Sequence, residues 1–253
     1  MFLMHWDRVK IQIIALIAVN SYFFSILKYI PCPILNCYAC PLAVTSCPIG
    51  TIQHFLVVGR IPFYTIGILG ITGTLFGRMT CGWICPFGFL QERLYRIPAK
   101  KIRVSENYSI FRFIVLSLMI IVPLITLDTW FCKLCPVGTL EAGIPLILLK
   151  ENLRTMVGTF FYVKIVVLII FIYLMIVVKN PFCRFVCPLG AIFSLFNPFS
   201  RAKLEVDDKC IKCGECKESC PMDIDIHLNP NSMSCIRCLE CTKSCEHIKF
   251  TMR

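Results

Sequence analysis

The chain has 253 residues, of which 57% are hydrophobic, and its 26 Lys and Arg against 15 Asp and Glu give a formal net charge of +11. Its mean hydropathy of +0.74 is above that of an ordinary soluble domain. All of the excess charge lies in residues 1–200, because residues 201–253 hold nine residues of each sign. The basic residues flank apolar segments, which indicates membrane-flanking loops and argues against a nucleic-acid-binding face.

Four apolar segments are long enough to cross a bilayer core of about 30 Å, which takes about 20 residues. These predicted spans cover residues 9–30, 61–80, 108–127 and 159–178. The first lacks the small-residue cleavage site of a signal peptide, so we expect it to be retained. Lys and Arg concentrate between the second and third spans, which predicts a multi-pass cell-membrane protein with both termini in the cytoplasm.

The membrane part contains two copies of one cysteine pattern. In each half the first span leads to a C-x2-C-P sequence and the second span ends at a C-x3-C-P sequence. The first motif supplies the outer set, Cys37, Cys40, Cys132 and Cys135, and the second supplies the inner set, Cys81, Cys85, Cys183 and Cys187. Two crossings per half preserve the orientation, so halves of about 1–103 and 104–200 are expected to form parallel repeats about an axis along the membrane normal.

Each half therefore supplies two thiols near each membrane face, and one cubane 4Fe-4S cluster needs four. The symmetric hypothesis is one cluster on the inner set at the inner face and another on the outer set at the outer face. The outer thiols could instead form disulfides, pass electrons as dithiols, or bind zinc or copper. Cys32 and Cys47 break the symmetry and stay unassigned. They could complete a local set with Cys37 and Cys40, or form a disulfide with each other.

Two further cysteine runs follow in residues 201–253, each with C-x2-C-x2-C-x3-C spacing. In a bacterial two-cluster ferredoxin the fourth cysteine of such a run binds the other cluster. One cluster is therefore predicted on Cys210, Cys213, Cys216 and Cys245. The other is predicted on Cys235, Cys238, Cys241 and Cys220. Pro221 follows the first run as the pattern expects, whereas Glu246 stands where the second proline would be.

Other redox chemistry has little support in the sequence. The four histidines, His5, His54, His227 and His247, lie outside the predicted spans, where a membrane b-type haem needs its axial ligands. There is no C-x-x-C-H sequence for a c-type haem and no glycine-rich dinucleotide fingerprint. We therefore expect an electron carrier without substrate chemistry of its own, with quinone as a further candidate cofactor.

The order of these motifs resembles the NapH/NosR-type membrane polyferredoxins. The likeness rests on Cys81-x3-Cys85-Pro86 and Cys183-x3-Cys187-Pro188 followed by a twin-cubane ferredoxin, and it covers most of the chain. The resemblance implies a membrane component of a quinol dehydrogenase. It also implies electron transfer to a separate flavoprotein or iron–sulfur partner, because the large extracytoplasmic flavin-binding region of the NosR members is missing here.

The predicted fold is thus an all-α bundle of four transmembrane helices in two parallel repeats over residues 1–200, followed by a small α+β two-cluster ferredoxin domain over 201–253. The predicted protein passes single electrons between a cytoplasmic carrier or the quinone pool and a membrane or extracytoplasmic redox partner. A second possible function is that of an accessory protein that handles thiols or copper during assembly of another metalloenzyme. As partners we expect the lipid bilayer and other redox subunits, and no nucleic acid.

Overall fold

The computed structural model describes residues 8–21, 25–104, 106–154 and 157–252. Most of these residues are helical, and one pair of short strands forms the sheet structure among them. The first half contains α1 (Arg8–Val19), a 3-10 turn (Ser25–Tyr29), α2 (Pro48–Val57), α3 (Phe63–Phe76), α4 (Met79–Trp83) and α5 (Pro86–Tyr95).

The second half repeats several of these features. It contains a 3-10 turn (Glu106–Ile110), α6 (Phe111–Thr126), α7 (Trp130–Leu134), α8 (Pro136–Leu149), α9 (Glu151–Arg154), α10 (Thr159–Val177) and α11 (Pro188–Phe196). A π-helical turn, Thr139–Gly143, lies inside α8, and another, Phe182–Val186, precedes α11. Short helices that begin with a proline thus alternate with longer apolar helices.

Two helices match the third and fourth predicted spans. The helical stretch Tyr108–Thr126 and helix α10 each have 19 residues, with hydropathies of 2.3 and 2.8, and are long and apolar enough to cross a membrane. Among the described residues, α1 has 12 residues and α3 has 14, fewer than the predicted spans 9–30 and 61–80, and residues 22–24 of the first span lie outside the described residues. At about 1.5 Å per residue α1 and α3 are roughly 18 and 21 Å long, less than a bilayer core of about 30 Å.

Tertiary contacts explain why the two shorter helices stop early. Helix α3 ends at Gly77, where φ is +57° and a Cβ would overlap the side chains of Asn197 and Arg237. Helix α1 ends where the carbonyl of Val19 accepts hydrogen bonds from the Val44 amide (2.9 Å) and the Asn36 side chain (3.1 Å). Both helices therefore give way to packed loops instead of continuing as the hydropathy predicts.

The C-terminal part is a small sheet that closes around the two cysteine runs. Strand β1 (Ala202–Val206) pairs antiparallel with β2 (Ile248–Met252), and α12 (Glu215–Glu218) and α13 (Glu240–Ser244) lie between them in the chain. Buried side chains of this part belong to one continuous core with buried side chains of α5, α6 and α11. The ferredoxin-like part is thus packed onto the helical part rather than tethered to it.

Candidate iron–sulfur sites

The two C-terminal cysteine runs form two groups that exchange their last members. Burial raises the pKa of the Cys216 thiol, and three neighbouring thiols, those of Cys245, Cys210 and Cys213, raise it further. The other group lines one small pocket and consists of Cys220, Cys235, Cys238 and Cys241. The last cysteine of each run therefore lies with the other run, in the crossed arrangement that the spacing predicts.

The backbone of both runs has the same unusual conformation. The residues on either side of the second cysteine have positive φ: Lys212 (58°) and Gly214 (86°) in the first run, Arg237 (48°) and Leu239 (62°) in the second. Such residues cost free energy unless the surroundings hold them, and they turn backbone N–H groups toward a bound anion. The repeated conformation fits two loops that each wrap a sulfide-rich cluster.

The inner set forms a third group in the helical part. Cys85 and Cys187 precede α5 and α11 with nearly the same backbone (φ −67°, ψ 117° and φ −66°, ψ 111°), and a proline follows each at the first helical position. Their buried thiols lie close enough to those of Cys81 and Cys183 to interact electrostatically. The structure thus brings together the four residues that the repeat predicts.

Hydrogen bonds to sulfur hold this group in place. The Gly190 amide donates to Cys187 Sγ (3.2 Å) and Gln91 Nε2 donates to Cys183 Sγ (2.9 Å). Gln91 Oε1 also accepts from the amide of Phe182 (3.0 Å). Because Gln91 lies in the first half and Cys183 in the second, this glutamine joins the halves. Hydrogen bonds to ligand sulfurs also tune the reduction potential of an iron–sulfur cluster.

Helix α4 places the inner set directly against the second cysteine run. Trp83 Nε1 donates to the carbonyl of Arg237 (2.9 Å), and a Cβ added to Gly82 would lie only 2.6 Å from the carbonyl oxygen of Ile236. Arg78 bridges the two groups, since it donates to the carbonyl of Ser234 (3.2 Å) and to that of Cys183 (2.9 Å). The backbone of α4 at Gly82 is therefore packed directly against the backbone of the second cysteine run at Ile236.

Buried arginines surround these groups. Arg78, Arg184 and Arg237 are at most 1% exposed. In the described part of the chain their hydrogen bonds go to backbone carbonyls, and the Nε atom of each has no partner. Arg184 has the acidic side chains of Asp223 and Glu106 as neighbours. Burying a cation without a countercharge costs several kcal/mol. Clusters bound by four thiolates would supply negative charge beside Arg78 and Arg237, so these two arginines fit iron–sulfur sites.

The structure differs from the predicted outer set at one position. Cys37, Cys132 and Cys135 line one pocket together with Cys47, whereas Cys40 does not line that pocket and packs with Ala43 and Ala142 beside Cys37. The physical reason is the loop before α2, which folds so that Cys47 reaches the second-half pair and Cys40 does not. The sequence signal for Cys47 is the motif C-P-x-G, which occurs four times in the chain, at Cys47, Cys85, Cys135 and Cys187.

Neither of the two predicted roles for Cys32, a disulfide with Cys47 or membership of a local four-cysteine set, matches its position. All 18 cysteines are described and all are free, so Cys32 and Cys47 form no disulfide. Cys32 lies outside the residues that line the Cys47 pocket. The local set of Cys32, Cys37, Cys40 and Cys47 is therefore split between different surroundings.

Among the described residues, no three or more His, Cys, Asp or Glu side chains converge closely enough to hold a single metal ion.

Two crossed cysteine groups and a buried four-cysteine group in contact with the second of them define an iron–sulfur electron-transfer protein. The chain belongs to the family described as the 4Fe-4S binding domain, whose model matches residues 58–105, 109–148 and 160–206. Each matched segment contains one cysteine pair that ends in C-P-x-G. The matches show that the helical part, and not only the C-terminal runs, belongs to a 4Fe-4S protein.

Relatives confirm the resemblance to NapH-type polyferredoxins. The uncharacterized protein MJ0750 of Methanocaldococcus jannaschii is 30% identical over 192 residues, 71% of this chain and 74% of the relative. The ferredoxin-type protein NapH of Escherichia coli K12 is 25% identical over 184 residues, 69% and 59% of the two chains. The methylamine utilization ferredoxin-type protein MauN of Methylobacillus flagellatus is 24% identical over 166 residues, which cover 62% of this chain and 53% of the relative. The chain thus spans little more than half of NapH and MauN. No solved structure matches it.

Proposed function

We propose that the protein is a membrane-bound electron-transfer subunit. It passes single electrons between a cytoplasmic carrier or the quinone pool and a membrane or extracytoplasmic redox partner. The observation that carries this proposal is the contact of α4 with the second cysteine run, where Gly82 meets the carbonyl of Ile236 and Trp83 bonds that of Arg237. This contact joins a ferredoxin-like group to the inner set through backbone packing and the side chains of Trp83 and Arg78.

The chain's own residues would hold one cluster at each of three groups. The two crossed groups and the inner set supply four thiolates each, and a bound 4Fe-4S cluster supplies a one-electron couple. The amides and Gln91 stabilise thiolate sulfur, while the buried arginines offset negative charge. Residues 201–253 are proposed as the ferredoxin domain and residues 1–200 as the membrane domain.

The membrane location rests on the two long apolar helices. They point large apolar side chains outward: Ile125 of α6 is 76% exposed and Ile169 of α10 is 59% exposed. Exposed apolar surface of this kind is stable against lipid or against another subunit. Because the named relatives are described as ferredoxin-type proteins, we infer that this chain also works beside other redox subunits.

Electron transfer to quinone in proteoliposomes tests the proposal. The vesicles contain the full chain, purified without oxygen, and a lipid-soluble naphthoquinone, and reduced viologen is added outside. We expect wild-type protein to reduce the quinone. Cys183→Ala should abolish this reduction while the electron paramagnetic resonance (EPR) signals of the C-terminal clusters persist, and Cys32→Ala should behave as wild type. Equal rates for wild type and Cys183→Ala would show that the inner set is not on the route.

A further inference from the structure

Gln53 and Glu141 each cross to the other half of the molecule. Each lies six positions after the cysteine of a C-P-x-G motif: Gln53 follows Cys47 in the first half, and Glu141 follows Cys135 in the second. Gln53 Oε1 accepts a hydrogen bond from the amide of Cys132 (3.1 Å), and Glu141 Oε2 accepts one from the amide of Cys37 (2.7 Å). The two bonds are related by the repeat: if each residue is replaced by its counterpart in the other half, the Gln53–Cys132 bond becomes the Glu141–Cys37 bond.

Two glycines repeat this reciprocity. A Cβ on Gly50 would lie 3.7 Å from Cys132 Sγ, and a Cβ on Gly138 would lie 3.5 Å from Cys37 Sγ. Each half therefore places the first turn of a helix beside the leading cysteine of the other half. At Gly50 the ring of Tyr38 is closer still, 2.8 Å from the added Cβ, so that ring shares the space beside Cys132.

The exchange of halves decides which cysteines correspond. It equates Cys37 with Cys132, and it equates Cys47 with Cys135, whose backbones nearly coincide (φ −69°, ψ 125° and φ −63°, ψ 122°). Cys40 has no counterpart under this exchange. The four matched cysteines, Cys37, Cys47, Cys132 and Cys135, are called the third site below.

The hydrogen bonds of Gln53 also show where the third site lies along the length of α6. Its Nε2 donates to the carbonyl of Met119 (3.3 Å), in the middle of α6. Met119 precedes the last residue of α6, Thr126, by seven positions, or about 10 Å at ~1.5 Å per residue. The third site therefore lies beside the interior of an apolar helix, not at its end as a site at the outer face would.

The third site adjoins the inner set inside the helical part. Leu35 and Asn36 line the pocket of the third site together with Cys47, and Leu35 belongs to the same buried core as Cys85 of the inner set. Cys47 and Cys135 pack against this core from the side of the third site. The two groups are therefore neighbours rather than sites at opposite faces of a bilayer core of about 30 Å.

We infer that Cys37, Cys47, Cys132 and Cys135 hold a further 4Fe-4S cluster, adjacent to the cluster of the inner set. The inference rests on the proposed electron-transfer function and extends its route. The site combines four thiols from both halves with the reciprocal acceptors Gln53 and Glu141. As in the inner set, two of its cysteines each precede a helix that begins with proline. The route from the ferredoxin part would then run through two neighbouring clusters inside the helical part.

Iron and acid-labile sulfide, measured per chain on full-length protein purified without oxygen, test the inference. Four clusters require about sixteen iron atoms, at four per cubane. Cys47→Ala should lose about a quarter of the iron and sulfide, and Cys132→Ala should lose the same quarter. The matched control Cys40→Ala removes a thiol of the same loop and should retain all of it. In wild type, EPR should show spin coupling between the inner-set cluster and the third-site cluster, and Cys47→Ala should remove this coupling while coupling among the other three clusters persists.

Each outcome has a defined meaning. The inference fails if Cys47→Ala keeps full iron, if Cys40→Ala loses the quarter instead, or if zinc replaces iron in the wild type. Persistent EPR signals from the C-terminal clusters in Cys47→Ala exclude global unfolding as the cause of its loss. Cys183→Ala separates the two proposals, because loss of iron there without any loss in Cys47→Ala contradicts the third site alone. A wild type with about eight iron atoms, enough for two cubanes, contradicts both membrane-part clusters.

Discussion

Replacing Gly82 with alanine should weaken the contact between α4 and the second cysteine run. Gly82 lies within helix α4, and its φ is not in the left-handed region, so alanine adopts its backbone without strain. The only obstacle is space, because the new Cβ would lie 2.6 Å from the carbonyl oxygen of Ile236. Both sides of this contact are backbone, so no side-chain rotation relieves it.

The size of the effect follows from that distance. An ordinary contact of a Cβ begins at 3.4 Å, so the two segments must separate by about 0.8 Å. Overpacking of this kind costs about 1–3 kcal/mol, and the higher helix propensity of alanine returns up to about 1 kcal/mol. A cost near the middle of that range, about 2 kcal/mol, leaves a net loss of about 1–2 kcal/mol after the helix term. This loss should lower the midpoint of thermal unfolding by roughly 2–8 °C, at about 2–4 °C per kcal/mol for a chain of this size.

Thermal unfolding in detergent, followed by cluster absorbance and by circular dichroism, measures this loss. The matched control is Gly70→Ala on α3, where no heavy atom lies within 4 Å of the added Cβ. We expect Gly70→Ala to leave the midpoint unchanged or raise it, because alanine favours the helix. If Gly82→Ala unfolds at the wild-type temperature or above, the reasoning from a close backbone contact between the two cysteine groups is refuted.

Three further predictions concern the groups around the clusters. Gln91→Leu should lower the reduction potential of the inner-set cluster in a redox titration and cost about 1–3 kcal/mol, because it removes a hydrogen bond to sulfur and leaves the Phe182 amide unpaired. Arg237→Met should lower the potential of the adjacent ferredoxin cluster by on the order of 100 mV, from a unit charge at ~7 Å and an effective dielectric of ~20. Arg237→Lys should shift it less, and equal shifts would refute a charge effect. Removing iron with a chelator should make residues 207–247 susceptible to limited proteolysis before α6 or α10, because this segment has only two one-turn helices.

The cysteine spacing made the two C-terminal groups predictable. C-x2-C-x2-C turns are local, and the crossing of Cys220 and Cys245 follows from two such runs packing face to face. The inner set could equally be predicted from the sequence, because Cys85 and Cys187 are each followed by a proline that begins a helix. Both features depend on residues close together in the chain.

The third site could not be predicted from the sequence in the same way. The loop before α2 contains Cys32, Cys37, Cys40 and Cys47, and spacing alone favours the C-x2-C pair over the more distant Cys47. The choice depends on Gln53 and Glu141, which bind across the two halves. Such long-range bonds leave a trace in the sequence only through the repeated C-P-x-G-x-x-Q/E motif.

Hydropathy and cysteine spacing by themselves determined the two longest apolar helices, the presence of 4Fe-4S chemistry and the crossed ferredoxin groups, because these features arise within short stretches of chain. Only the tertiary structure decided where α3 ends, that Cys47 and not Cys40 lines a pocket with the second-half pair, and that the cysteine groups adjoin one another. The reason is that Gly77, Gly82 and Gln53 act through contacts with residues more than sixty positions away, and hydropathy and spacing carry no information about such contacts.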